Sequence, residues 1–293
     1  MAVVAAVPRS LARATFSLAD RVLAISADDE AVCHILRTTY DDARVNQART
    51  IHHQAAIARL SDGRMHVRFD RRTLGLTDAA STIPLLSAYY AVKEVFARFA
   101  SAVPRGVAFY GAAVAVNGSA VLILGPTSIG KTLFALHLAW QGATFLGDET
   151  ALLDTPAGTL RALARKPSLR EGALGLLPPG IPERITEAPH AVQTERGRFW
   201  YALAPGQLGG VAPLDKPLHL RAVCVIRDRA PAFSIRRADL ADVLPSIMQR
   251  AYIRPSQLAQ ISGLRRAMRG VAQYEVSLSD PQASAAAFLR ELA

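Results

Sequence analysis

Residues 119–154 read SAVLILGPTSIGKTLFALHLAWQGATFLGDETALLD, and their reading decides the fold. An apolar run, 120–124, is short enough for a buried strand. It delivers the chain into Gly125, Pro126, Thr127, Ser128, Ile129, Gly130, Lys131 and Thr132, which satisfy G-x-x-x-x-G-K-[ST] at every fixed position. Such a loop converges its backbone N–H groups on phosphate oxygens, so glycines stand where a Cβ would block the approach. The spacing assigns all eight residues to nucleotide-phosphate binding. Lys131 reaches the β/γ-phosphates and the Thr132 hydroxyl is offered to Mg²⁺. The run 133–140 is almost wholly apolar and ends at Gly142, which predicts a buried helix with its positive end at the anion.

Downstream, 143–150 reads as a strand ending in Gly147-Asp148-Glu149. Asp148 follows Lys131 by only one helix and one strand. A parallel strand beside the loop strand would bring it to the phosphate mouth at its carboxyl end. One acid of the pair can activate an attacking hydroxyl while the other helps to hold the metal. Lys131 and Asp148 are therefore the expected catalytic residues, and Thr132, Asp148 and Glu149 the expected Mg²⁺ ligands. Upstream, 112–116 and 119–124 flank Asn117-Gly118, the strongest short hairpin signal in the chain.

The chain has 293 residues, long enough for one large domain or a compact pair, and its 51% hydrophobic content supplies a sizeable core. A division at 1–105, a small α+β unit, and 106–293, the nucleotide-binding domain, is expected. Residues 1–20 have little pattern and read as a loose leader, and the seven mostly apolar residues before Pro8 are too short for a signal-peptide core. Strands are expected at 21–26, 53–60 and 64–70, with a helix entered through Asp28-Asp29 and another over 83–99. His52-His53 reads as a surface pair and not a metal site, because neighbours on a strand face opposite ways. Beyond the acids, strand pairs bracket 155–158, and a Pro/Gly-punctuated stretch fills 167–213 around an aromatic-basic hairpin arm at 196–201. Strands at 220–226, 232–236 and 273–278 and helices at 240–251, 257–269 and 282–292 close the chain.

The formal charge is +10, yet the basic residues are scattered arginines with no run of five, so nucleic acid is not the expected partner. The positive field favours an acidic ligand or partner segment. Cys33 and Cys224 lack metal or redox spacing and read as buried thiols of a reducing compartment. No apolar run approaches membrane-spanning length, so a cytoplasmic protein without a membrane partner is expected.

The run 122–149, LILGPTSIGKTLFALHLAWQGATFLGDE, resembles the catalytic core of the HPr kinase/phosphorylase family, which shares its nucleotide fold with phosphoenolpyruvate carboxykinases. The match covers about 109–154. The resemblance implies an α/β fold with a P-loop HPr kinase/phosphoenolpyruvate carboxykinase-like core, ATP and Mg²⁺ as cofactors, and assembly into a homo-oligomer. It places Asp148 at the position of the general base, Glu149 at the second acid, and Lys131 and Thr132 at the phosphate and metal positions. The stretch 162–172, ALARKPSLREG, is similar only to divergent HPr-kinase-related proteins, including those found with peptide-modification genes. Ser128 stands where the family's loop has Gly, Tyr110-Gly111 where it has His-Gly, and Arg170-Glu171-Gly172 is a permuted counterpart of its EIRG-type segment.

The expected activity is ATP·Mg²⁺-dependent transfer of the γ-phosphoryl group to a Ser or Thr hydroxyl on a peptide or small protein. Arg165, Lys166 and Arg170 read equally as phosphate-neutralising groups or as solvated strand-end charges. Two other readings stand beside this one: a nucleotide-binding regulatory or scaffold protein without turnover, and a small-molecule kinase whose Pro/Gly-rich segment closes a pocket.

Overall fold

The computed structural model describes residues 12–46, 50–77, 83–252 and 258–293. The chain is mixed α/β and divides into two units, Met1–Phe99 and Ala100–Ala293.

The first unit is a five-stranded sheet in the order β1-β2-β3-β4-β5. Its strands are β1 (Ala12–Leu18), β2 (Arg21–Ala27), β3 (His53–Arg59), β4 (Met65–Phe69) and β5 (Arg72–Thr77). Helix α1 (Glu30–Thr39) makes β2 and β3 parallel, as a crossover must, and every other pairing is antiparallel. Asp29 caps α1, its carboxylate accepting from the Val32 N–H at 2.9 Å. Alternation sends Phe16, Leu23, Ile25, Ile57 and Val67 into the core. Helix α2 (Pro84–Ser101) contributes Phe96, which lies edge-on to Phe16 and stacked on Tyr40.

Two expectations are corrected here. The stretch read as a leader contains β1, whose Phe16 and Leu18 alternate with Thr15 and Ser17; residues 1–11 lie outside the described residues. His52 and His53 are half-buried and engaged instead of lying at the surface. His52 Nδ1 accepts from the Val22 N–H at 3.1 Å, and His53 Nδ1 bonds Asp70 at 3.0 Å.

The second unit is built on a nine-stranded sheet. In chain order it holds β6 (Gly106–Phe109), β7 (Ala112–Val116), β8 (Ser119–Leu124), α3 (Lys131–Trp140), β9 (Thr144–Gly147), β10 (Ala151–Asp154) and β11 (Thr159–Ala162). Then come β12 (Leu169–Arg170), α4 (Ile181–Thr186), β13 (Ala191–Thr194), β14 (Gly197–Trp200), β15 (Leu218–Arg229) and β16 (Ser234–Arg237). Helices α5 (Leu240–Arg250) and α6 (Leu258–Ala267), strand β17 (Ala272–Leu278) and helix α7 (Pro281–Leu292) finish it. Residue 257, the expected start of α6, lies outside the described residues.

The expected hairpin is present, with Asn117 and Gly118 both at positive φ, as a tight two-residue turn requires. Strand β8 is interior to the sheet, with β15 parallel on one flank and β7 antiparallel on the other, and helices bury both its faces. Its Val121 and Ile123 join Phe134 of α3 and Phe288 of α7 on one face of the sheet. Leu122 and Leu124 join Val243 of α5 and Leu264 of α6 on the other. Helix α3 is apolar nearly all round, as a helix inside such a sandwich must be.

The Pro/Gly-rich stretch is ordered by a three-stranded sheet, β12-β14-β13, with 196–201 supplying the expected hairpin arm. Two polar tips of α3 hold this stretch: the His137 ring bonds the Leu176 carbonyl at 2.7 Å, and Trp140 Nε1 donates to the Leu208 carbonyl at 2.8 Å. Burial lowers the His137 pKa, so it serves there as a neutral imidazole. Among the described residues no helix is long and apolar enough to cross a membrane.

Candidate functional site

Loop 125–130 connects β8 to α3, and the helix begins after Gly130 with no side-chain cap. Its first N–H groups are thus left for a ligand at the positive end of the helix dipole. Lys131 is buried; its ammonium donates to the Gly125 and Pro126 carbonyls at 3.0 and 2.8 Å and lies 4.7 Å from the Tyr110 ring centroid. Tyr110 therefore does for Lys131 what an aromatic face does for any desolvated cation. Ser128 adopts φ 65°, a left-handed backbone that costs an L-residue energy and that a glycine takes freely.

Asp148 reaches this loop by a route different from the expected one. Strand β9 runs parallel to β8 but is not its neighbour, because β7 lies between them and pairs antiparallel with both. The hairpin fills the flank of β8 where β9 was expected. Asp148 nevertheless meets Thr132: the hydroxyl donates to Asp148 Oδ2 at 2.6 Å. At Gly147, just before Asp148, the chain lies tight against its neighbour: a Cβ there would stand 2.7 Å from that of Ala162 and 3.0 Å from the Leu163 carbonyl.

The two acids then part company. Glu149 sits at φ 66°, and the Thr150 N–H closes a tight turn on the Asp148 carbonyl at 2.9 Å. Strained backbone of this kind collects at functional sites. It turns the Glu149 carboxylate onto Arg165, with which it forms an ion pair. Arg165 is only 1% exposed and also donates to Ser168 Oγ at 2.9 Å, so it is neither a solvated strand-end charge nor open to a ligand. Lys166 is half-buried and Arg170 exposed.

Burial raises the Asp148 pKa, and the neighbouring Glu149 charge raises it further. The Arg165 charge and the Thr132 hydrogen bond pull the other way without cancelling that rise. The carboxylate is therefore unusually avid for a proton.

A further cation at the loop escaped the sequence reading. Arg229 ends β15, the strand parallel to β8, so it emerges beside the loop at the carboxyl end of the sheet. Its Nε donates to the Ile129 carbonyl at 3.3 Å. Its Nη2 lies 3.1 Å from where a Cβ on Gly130 would stand. Gly130, at φ 110°, thus answers both the backbone and the arginine. The signal was present: Arg227-Asp228-Arg229 directly follows an apolar strand aimed at the same end of the sheet.

For Mg²⁺ the donor chemistry fits, since a hydroxyl and a carboxylate 2.6 Å apart are hard oxygen ligands. Among the described residues no group of three or more His, Cys, Asp or Glu could hold a metal by itself.

No family model matches the chain, and no curated protein matches it. Among solved structures it is similar to the Hpr(Ser) kinase/phosphatase from Coxiella burnetii, at 13% identity over 63% of this chain and 93% of that one. The TM-score is 0.29, so the likeness is loose and the site's chemistry stands on this chain's own residues.

Proposed function

We propose that the protein is an ATP·Mg²⁺-dependent kinase that transfers the γ-phosphoryl group to a Ser or Thr hydroxyl of a peptide or small protein. One observation carries the reading: the Thr132 hydroxyl of the loop donates to the buried, proton-avid Asp148. A phosphate cradle and a base are thereby joined across a single hydrogen bond.

In this reading loop 125–132 and the amides of α3 bind the triphosphate, and Lys131 leaves its loop carbonyls for the β/γ-phosphates. Mg²⁺ would be held by Thr132 with Asp148 and would supply neutralisation of phosphate charge, while Glu149, expected as a further ligand, is engaged by Arg165. Asp148 accepts the proton of the acceptor hydroxyl while its oxygen bonds to the γ-phosphorus. The bond from that phosphorus to the β,γ-bridging oxygen breaks, and ADP leaves with the electron pair. Such catalysis consists mostly of placement and charge stabilisation, so few groups suffice. Two free, buried thiols fit a reducing cytoplasm as the place of action.

The test is incubation with γ-labelled ATP, Mg²⁺ and Ser- or Thr-containing peptides, followed by isolation of the acid-stable phosphoester. Label on the peptide hydroxyl supports the reading. Tight nucleotide binding without transfer to any acceptor would make the protein a nucleotide-binding scaffold, and transfer only to a metabolite would make it a small-molecule kinase.

Arg229 is assigned to the charge that develops on the transferring group, which is felt most in the transition state. Arg229→Ala should then lower kcat by at least about tenfold while changing nucleotide affinity less, the pattern of an interaction stronger in the transition state. Arg229→Lys should recover part of the loss, since charge survives but the planar fork does not. Equal effects on kcat and on nucleotide affinity would reassign Arg229 to ground-state binding.

A further inference from the structure

The helices of the first unit cover one face of its sheet, and the other face carries a feature that the kinase reading does not use. A cavity of about 270 Å³ opens there, lined by residues of β1 to β4. Its floor is made of small side chains. Ser26 on β2 pairs in register with Ala56 on β3, and Ala24 and Ala58 lie two positions along.

The same row ends in two arginines. Arg13 on β1 stands opposite Ser26, and Arg68 on β4 stands opposite Ala56. With strands about 4.8 Å apart, their Cα atoms flank a trough about 14 Å wide, enough for one extended chain or one helix. Both are exposed, and neither guanidinium has an ion-pair or hydrogen-bond partner among the described residues.

Two acids also face the cavity, and they differ. Asp70 is committed, accepting from the Gln54 N–H at 2.9 Å and bonding His53. Asp28 is not: its Oδ1 is buried and meets no hydrogen-bond donor among the described residues. A buried acceptor left unmet is costly unless an occupant brings the donor.

We propose that this trough docks an acidic peptide segment, its carboxylates held by Arg13 and Arg68, its small side chains on the alanine floor, and an N–H given to Asp28. Charge argues against a second copy of this chain as the occupant, because each copy carries a formal +10. Arginine forks match carboxylates bidentately, so the two contacts add selection as well as attraction. The proposal deepens the kinase reading by giving a peptide acceptor a place to be held apart from its reacting hydroxyl, and rests on that reading only for calling the peptide an acceptor.

The test uses the full-length protein and a fluorescein-labelled peptide of alternating glutamate and alanine, read by fluorescence anisotropy at low salt. The wild type should bind it, and the glutamine counterpart should not bind measurably. Arg13→Gln combined with Arg68→Gln should weaken binding by about tenfold or more, as two charge-assisted contacts are lost. Ala56→Trp, which fills the floor, should weaken it comparably. ATP affinity should stay at the wild-type value in all of these, which separates a failed docking site from a failed nucleotide site. The proposal is overturned if the glutamate and glutamine peptides bind alike, or not at all. It is equally overturned if the double arginine variant binds as the wild type does, or if sedimentation shows that the variants split a dimer, which would put a second copy in the trough. Peptide binding that persists while no phosphoryl transfer is found leaves the docking site standing and removes the kinase reading alone.

Discussion

Asp148→Asn should abolish most phosphoryl transfer, with kcat falling by about 10²- to 10⁴-fold, the usual contribution of a positioned general base. Nucleotide affinity should stay within a few-fold of the wild type, because the amide oxygen can still accept from the Thr132 hydroxyl. The same variant should be more stable than the wild type near neutral pH. In the folded state burial and the Glu149 charge raise the Asp148 pKa, so the native protein binds this proton more tightly than the unfolded chain. Asp148 therefore favours folding most at acid pH, and that contribution is lost as pH rises from the ordinary carboxylate range through the raised folded value. Above that range the wild type holds a disfavoured buried charge and the asparagine variant does not. Activity runs the opposite way in pH, because a base must be unprotonated to act. The acid limb of the kcat/KM profile should therefore lie above the ordinary carboxylate range. A variant that loses nucleotide binding together with transfer would assign Asp148 to holding the metal, and one that keeps full transfer would remove it from the chemistry.

Local signals were the legible ones. The Asn117-Gly118 turn, the glycines of the loop and the apolar helix behind it each declare themselves within a few residues. Their elements lie close to where the sequence puts them. Pairing partners were not legible in the same way, because a strand's neighbour is chosen by contacts distant along the chain. The route to Asp148 shows the difference. The hairpin already commits β7 to one flank of β8, and β15 takes the other, so β9 can reach the sheet only beyond β7. The carboxylate still arrives at Thr132, from a strand whose end at Gly147 is pressed against Ala162. Strand β1 was missed because its alternation is carried by only Phe16 and Leu18 among small and polar residues. Arginine was the residue read least well. Composition alone makes a lone arginine look solvated, whereas Arg165 is buried by its acid partner and Arg229 is aimed by the strand that ends with it.

Arg165→Met should destabilise the second unit by about 3–5 kcal/mol, the range for removing one partner of a buried ion pair. Arg165 is 1% exposed and the Glu149 side chain 15%, so water cannot take over the lost interaction cheaply. The loss should appear as a lower urea midpoint followed by tryptophan fluorescence, since Trp140 and Trp200, the only two tryptophans, both lie in that unit. Glu149→Leu introduced alongside Arg165→Met should recover much of the stability, because no buried charge is then left without its partner. The pH profile should follow the same pattern. The Arg165 charge opposes the rise in the Asp148 pKa, and the Glu149 charge adds to the rise that burial causes. Arg165→Met alone should therefore push the acid limb of the pH–rate profile upward, and the double variant should bring it back toward the wild-type position. Stability and pH profile moving together across all three proteins would establish the Arg165–Glu149 pair as the device that sets the basicity of Asp148. A pH profile unmoved by either change would confine the pair to holding the turn at 148–150.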